Sequence, residues 1–216
     1  MAMNKVAIFG STGVTGECSL RSALMAGLKA TVLVRDPSRL NGELAKDTTV
    51  IQGDVTNLED VRKVMNGQDG VVVALGTRNQ LDATTVMSHG LRNILLAMKE
   101  FGVPRISVCL SSFLFWDPAK LPAQFSHIHS EHVNMIQQLE ASDREWVACL
   151  PPHIAANEPD NKGNYKVIHN ENAPRRIVSK HDLGHFLVHC LMTDEHLSKR
   201  CGICSPEPPK EEEQKA

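Results

Sequence analysis

The chain has 216 residues, 42% hydrophobic and 22% charged, with a formal charge of −2. That length suits one domain with a full core. The near-neutral balance leaves no electrostatic footprint for nucleic acid or an acidic membrane. No run of about 18 apolar residues is present to span a bilayer, and no charged-then-apolar leader opens the chain, so a cytoplasmic protein is expected.

The first apolar run, KVAIF, leads straight into GSTGVTG at 10–16, three glycines at intervals of three. A helix-like stretch follows, with Leu20, Ala23 and Leu24 on one face and Gly27 at its end. Glycine permits a tight turn and close backbone approach, and the helix start then offers free N–H groups. In a parallel sheet this first strand-to-helix turn is where a dinucleotide pyrophosphate binds. The second run, ATVLV, ends in Arg35, about twenty residues past the glycines, where the residue type separates the two nicotinamide cofactors. An acid there would accept the ribose 2′-hydroxyl. Arg35, Ser38 and Arg39 could instead cradle a 2′-phosphate, so NADPH is expected over NADH, despite the adjacent Asp36.

The third run, TTVIQ, is followed by Asp54, placed to accept from an adenine amino group. GVVVAL closes on Gly76, Thr77 and Arg78. After DATT, Met87, Leu91, Ile94, Leu95 and Met98 mark one face of a helix that Gly102 stops. RISVCL leads into SSFLFWD, and a helix from 126 to 141 carries Ile128, Met135, Ile136 and Leu139 on its stripe, with His132 among them. EWVACL leads into PPHI. The polar segment 155–176 reads as loops and short strands over the sheet edge. A last helix opens at Ser179, with Asp182 spaced as in a capping box, and buries Leu183, Phe186, Leu187, Cys190 and Leu191.

Near-continuous apolar strands alternating with helices predict an α/β fold with a doubly wound, Rossmann-like parallel sheet in a single domain over 1–205. PEPPKEEEQKA, 206–216, is too polar to order itself and reads as a disordered tail. Cysteines 18, 109, 149, 190, 201 and 204 read as free thiols. Cys201 and Cys204 form a lone CxxC that lacks two further zinc ligands at suitable spacing. His181, His185 and His189 step by four opposite the buried face and read as a solvated stripe. No metal site is expected.

The familiar Tyr–Lys proton-donor pair is absent: the single tyrosine, Tyr165, is followed four residues on by His169. A reaction that needs little acid–base help fits better. Hydride transfer to a conjugated, electron-poor ring is one, since the ring delocalises the incoming electrons and orientation supplies most of the catalysis.

KVAIFGSTGVTG, ATVLVRDPSRL, GDV, LGTRN, TTVMS, SSFLFWDP, PPHI and VSKHDLGHF together resemble the biliverdin-IXβ reductase, or NADPH-dependent flavin reductase, family from the N-terminus to about residue 195. The resemblance implies a monomeric cytoplasmic enzyme that uses NADPH to reduce free flavins and biliverdin-IXβ-type tetrapyrroles, with flavin as substrate rather than prosthetic group. It implies cofactor contacts at Gly10, Thr12, Gly13, Thr15, Arg35, Ser38, Arg39, Asp54, Val55, Leu75, Gly76, Arg78, Met87, Cys109, Ser111, His132, Pro152, His153 and Ile154. Ser111 and His153 match the active-site pair. Phe113 and Trp116 would flank the substrate, with Lys120 on a distal loop and Arg176 facing the pocket. Position 124 is Gln where the family has a basic residue, and the stretch 155–175 departs in length and composition. Two other readings compete. A non-enzymatic NADP(H)-sensing protein could share the fold. A nucleotide-sugar epimerase would need the missing Tyr–Lys pair and a larger substrate domain.

Overall fold

Strands form where the apolar β-branched runs stand, and helices where the 3.6-residue stripes stand. In the computed structural model, which describes residues 3–77 and 80–207, the first half of the chain runs β1 (Lys5–Phe9), α1 (Val14–Met25), β2 (Lys29–Val34), α2 (Gly42–Ala45), β3 (Thr48–Gln52), α3 (Leu58–Met65), β4 (Gly70–Val73) and α4 (Val86–Phe101). The second half runs β5 (Arg105–Cys109), α5 (Ser126–Glu140), β6 (Glu145–Leu150), β7 (His153–Ala155), β8 (Lys166–His169), β9 (Ile177–Ser179), α6 (Lys180–His189) and β10 (Lys199–Cys204).

Eight strands form one sheet in the order β3-β2-β1-β4-β5-β6-β10-β8, and β7 pairs with β9 alongside. All pairings in the large sheet are parallel except β10 with β8. The chain winds outward from β1 to β3, then crosses back to lay β4 on β1's other side. That reversal opens a crevice at the carboxyl edge between β1 and β4.

The pleat of β1 explains why the strand is apolar from Val6 to Phe9, after the exposed Lys5. Val6 and Ile8 join the cluster beneath α1 and α6, while Ala7 and Phe9 join the cluster beneath α3, α4 and α5. Both faces are covered from Val6 to Phe9, so none of these four positions is polar. Burying such side chains contributes about 1.5–3 kcal/mol each. No helix among the described residues is long and apolar enough to cross a membrane.

Two local expectations need correction. Ser179 caps α6 through the His181 N–H, but Asp182 does not complete a capping box. Its buried carboxylate accepts from the Asn161 N–H at 3.1 Å, the Asn161 amide at 2.6 Å and the Ser205 hydroxyl at 3.2 Å, so it clasps the 155–179 segment to the core. The histidine stripe is half-buried rather than solvated. His185 stacks on His189 at 3.7 Å and meets the Tyr165 hydroxyl at 2.9 Å, while His181 meets the Cys18 thiol at 3.7 Å. The two cysteines of the CxxC, Cys201 and Cys204, sit three residues apart on one strand, so their side chains leave opposite faces of the sheet. Of the expected tail, 208–216 lie outside the described residues.

Candidate cofactor and substrate site

The turn after β1 is shaped by its glycines. Gly10 has φ +92°, and a Cβ there would stand 2.3 Å from the Ala74 carbonyl oxygen. A Cβ at Gly16 would stand 2.1 Å from the Gly10 carbonyl oxygen, so this glycine lets α1 press onto the turn. Gly13 is the N-cap of α1, and no side chain caps the helix. The first N–H groups of α1 and its positive dipole end therefore suit an anion. Ser11 adds a buried hydroxyl without a hydrogen-bond partner among the described residues. A close-approach cradle, an uncapped helix start and an orphaned hydroxyl fit a dinucleotide pyrophosphate. Thr12 and Thr15 lie in the same turn, and the Thr15 carbonyl accepts from the Ser19 hydroxyl at 3.1 Å.

At the end of β2, Asp36 caps a 3-10 turn over Pro37–Arg39. The hydrogen bonds it takes from Ser38 hold its carboxyl below the usual carboxylate range. Arg35 and Arg39 flank that turn, both exposed, and among the described residues neither is in an ion pair. Ser38 is tied to Asp36, so the two arginines carry the phosphate reading and Ser38 must exchange partners to join it. Asp54 is held in its own turn: one oxygen accepts the N–H and hydroxyl of Thr56, at 2.8 and 2.7 Å. Those bonds, foremost the one from the backbone, keep its carboxyl below the usual range.

Val55 and Leu75 face α4 at Gly90, where a Cβ would come within 2.8 Å of Val55 and 3.0 Å of Leu75. The Val55 carbonyl accepts from the Asn93 amide at 3.0 Å. At Gly76 no atom of the described residues lies within 4 Å of where a Cβ would stand. Met87 is 1% exposed and packs within the core. Arg78 lies outside the described residues.

The ends of β5 and β6 are tied together. The Leu110 N–H donates to the Cys149 carbonyl at 2.8 Å, and the Ser112 N–H to the Pro151 carbonyl at 2.9 Å. These bonds bring the Ser111 segment beside Pro152, His153 and Ile154. Ser111 accepts from the Phe113 N–H at 3.2 Å as the cap of a 3-10 turn. That bond uses an oxygen lone pair and leaves its O–H to donate elsewhere. His153 opens β7, exposed, and its N–H donates to the Arg176 carbonyl at 3.3 Å. Cys109 ends β5, and burial pushes its thiol up to about 12.

An aromatic wall stands beside them. Phe113 meets Trp116 edge-on at 5.1 Å and Phe125 at 5.1 Å. The Arg176 guanidinium lies 4.6 Å from the centre of the Trp116 ring, so residues sixty apart in sequence form one surface. Lys120 is exposed in the 3-10 turn beyond it. Phe125 was not anticipated; its only sequence signal is an aromatic placed immediately before α5.

His132, on α5, is 8% exposed, and its Nδ1 has no partner among the described residues. Burial, with His129 beside it, pushes it down to about 4, so the ring is neutral near pH 7. The adjacent Glu131 was also missed. It is buried and accepts from the Ser88 N–H at 3.0 Å and the Ser88 hydroxyl at 2.8 Å, which caps the start of α4 from another helix. Tyr165 donates no proton to this edge: it is bonded to His185, and burial raises its phenol well above the usual value. A depression of about 520 Å³ lies at the opposite, amino-terminal end of β2 and β3, away from all these residues.

Three comparisons bear on this arrangement. A reductase from Aspergillus terreus, pytE, is 28% identical over 120 residues, 44% of this chain and 46% of that protein. The chain thus spans about half the length of this curated relative. A wide-type short-chain dehydrogenase/reductase from Veillonella parvula, solved in complex with NADP, has a TM-score of 0.73 at 14% identity, over 95% of this chain and 96% of that one. ChuY, an anaerobillin reductase from Escherichia coli O157:H7, has a TM-score of 0.76 at 16% identity, over 96% of this chain and 100% of that one. At these identities the two structures speak for the fold. The model of a family described as NAD(P)H-binding matches residues 10–194, from the first glycine of the turn to beyond α6, and the chain belongs to that NAD(P)H-binding family.

Proposed function

We propose that this chain is a monomeric cytoplasmic reductase that uses NADPH to reduce a planar, conjugated acceptor, either a free flavin or a biliverdin-IXβ-type open tetrapyrrole. The observation that carries this reading is the wall of Phe113, Trp116, Phe125 and Arg176 next to Ser111 and His153 at the carboxyl edge. A flat π-system packs on such a wall, and a cation at its rim suits acidic groups on the acceptor. NADPH when bound supplies a hydride.

The residues of the chain then position and discriminate. The Gly10–Gly16 turn and the start of α1 hold the pyrophosphate, and Arg35 and Arg39 hold the 2′-phosphate. Val55, Leu75 and Gly76 leave the backbone open to the nucleotide. Ser111, with its O–H available, and His153 orient the acceptor. The proton that completes reduction comes from water or through one of these two side chains. Neither needs to be strongly acidic, because the acceptor ring carries the added electron pair.

The test is NADPH oxidation in the presence of FMN or biliverdin-IXβ, with NADH as control. Multiple turnovers with NADPH preference support the reductase, and the ratio between acceptors ranks them. Tight NADPH binding without turnover on either acceptor overturns it and leaves a cofactor-sensing protein.

A further inference from the structure

We infer that His169, His196 and Cys201 form a binding site for a thiophilic divalent transition ion of the zinc class, built on the antiparallel edge of the sheet. One ligand atom from each residue lies within 4.8 Å of the other two. The pairing of β8 with β10 sets His169 directly opposite Cys201, so both side chains leave the same face. His196 comes from the loop before β10. Its Nδ1 lies 2.9 Å from His169 Nε2, and the rings meet edge-on at 5.2 Å.

The surroundings are those of a closed site. Cys201 is 0% and His196 9% exposed, and Phe186 packs edge-on against His196 at 5.1 Å. Two imidazoles and one thiol are borderline-to-soft donors, which favour zinc-like ions over magnesium or calcium. The Glu195 carboxylate lies 3.9 Å from His196 Nε2, the ring nitrogen turned away from His169, and stands outside the three-residue cluster, so water would be the fourth donor. Ligands around tetrahedral zinc stand roughly 3.3–3.8 Å apart. The cluster therefore needs only a modest contraction, and the His169–His196 hydrogen bond must open.

Proton bookkeeping is consistent with this reading. A divalent ion entering the site takes the Cys201 thiolate, whose proton passes to solvent, and binds one nitrogen of each imidazole, the hydrogen that joined the rings moving to the other nitrogen of its own ring. The CxxC spacing is incidental: Cys204 lies on the other face of β10 and contributes nothing. His169, which stands where the Tyr–Lys pair would place its lysine, serves this cluster instead.

The experiment titrates the full chain, purified without metal, with cobalt(II) and then zinc(II). The expected result is one equivalent of cobalt, a thiolate-to-cobalt charge-transfer band that zinc abolishes, and a raised Tm with zinc. Cys201→Ser removes the band, and Cys204→Ser leaves it intact. His169→Gln, on the half-buried edge strand, weakens zinc by at least about tenfold while circular dichroism stays native. That variant decides the matter should Cys201→Ser not fold. The absence of a band in the parent chain, loss of binding in Cys204→Ser, or unchanged affinity in His169→Gln overturns the site. None of these readouts depends on NADPH or on turnover.

Discussion

Asp36 Oδ1 accepts two hydrogen bonds from Ser38, one from its backbone N–H at 3.0 Å and one from its hydroxyl at 2.7 Å. The acid at the end of β2 is thereby turned into its own loop, while Arg35 and Arg39 are left free of carboxylate partners among the described residues. Arg35→Ala should weaken NADPH by about 1.5–3 kcal/mol, the scale of one charge-assisted hydrogen bond. NADH affinity should stay nearly unchanged. Fluorescence titration with both cofactors reads the difference, and equal losses would remove the 2′-phosphate assignment.

Ser111 and His153 occupy adjoining strand ends, held by the Ser112 N–H to Pro151 carbonyl bond. Ser111→Ala and His153→Ala should each lower turnover without a matching loss of NADPH affinity. A fall of about a hundredfold or more would mark proton transfer; a smaller one marks positioning. If turnover is unchanged in both, neither side chain acts on the acceptor.

The Arg176–Trp116 stack links the segment before β9 to the loop after β5. Removing the guanidinium forfeits about 0.5–1 kcal/mol of cation–π contact and the positive rim of the wall. Arg176→Ala should therefore raise KM for the acceptor several-fold and leave NADPH binding alone. A change in NADPH affinity with no change in acceptor KM would show that Arg176 does not face the acceptor.

His132 makes stability depend on pH. Its folded value of about 4 lies below the 6.5 of a free side chain, so between those limits the unfolded chain binds the extra proton. The stabilisation is fully present above pH 6.5 and is lost as pH falls toward 4, amounting to roughly 3 kcal/mol at the acid limit. His185, His189 and His196 are also lowered by burial and add the same sign. His132→Gln should flatten part of the decline in denaturation midpoint between pH 6.5 and 4. An identical pH profile would mean that the imidazole is solvated or already protonated.

Asp182 is fully buried and gathers Asn161 and Ser205, which in turn accepts from the Ser179 N–H at 2.8 Å. Asp182→Ala leaves the Asn161 and Ser205 donors unpaired and should cost about 2–4 kcal/mol. Chemical denaturation measures this loss. A cost below about 0.5 kcal/mol, within the range of an ordinary surface substitution, would show that the clasp is not structural.

The amino-acid sequence by itself determined the strand and helix periods, the Gly10–Gly16 turn, the Gly102 stop and the doubly wound order. Each of these rests on contacts within a few residues, or on a burial pattern written along one element. It also located Arg35, Ser111 and His153 at strand ends, because a parallel sheet puts all such ends on one edge. Only the tertiary structure decided which groups meet across the fold. Asp182 finds Asn161 and Ser205, Glu131 caps α4 from α5, Phe125 completes the aromatic wall, and Cys201 joins His169 and His196 while parting from Cys204. Those partners are set by strand register and by helix packing against the sheet. No local spacing encodes them, because burying a polar group demands a partner without specifying where in the chain it must come from.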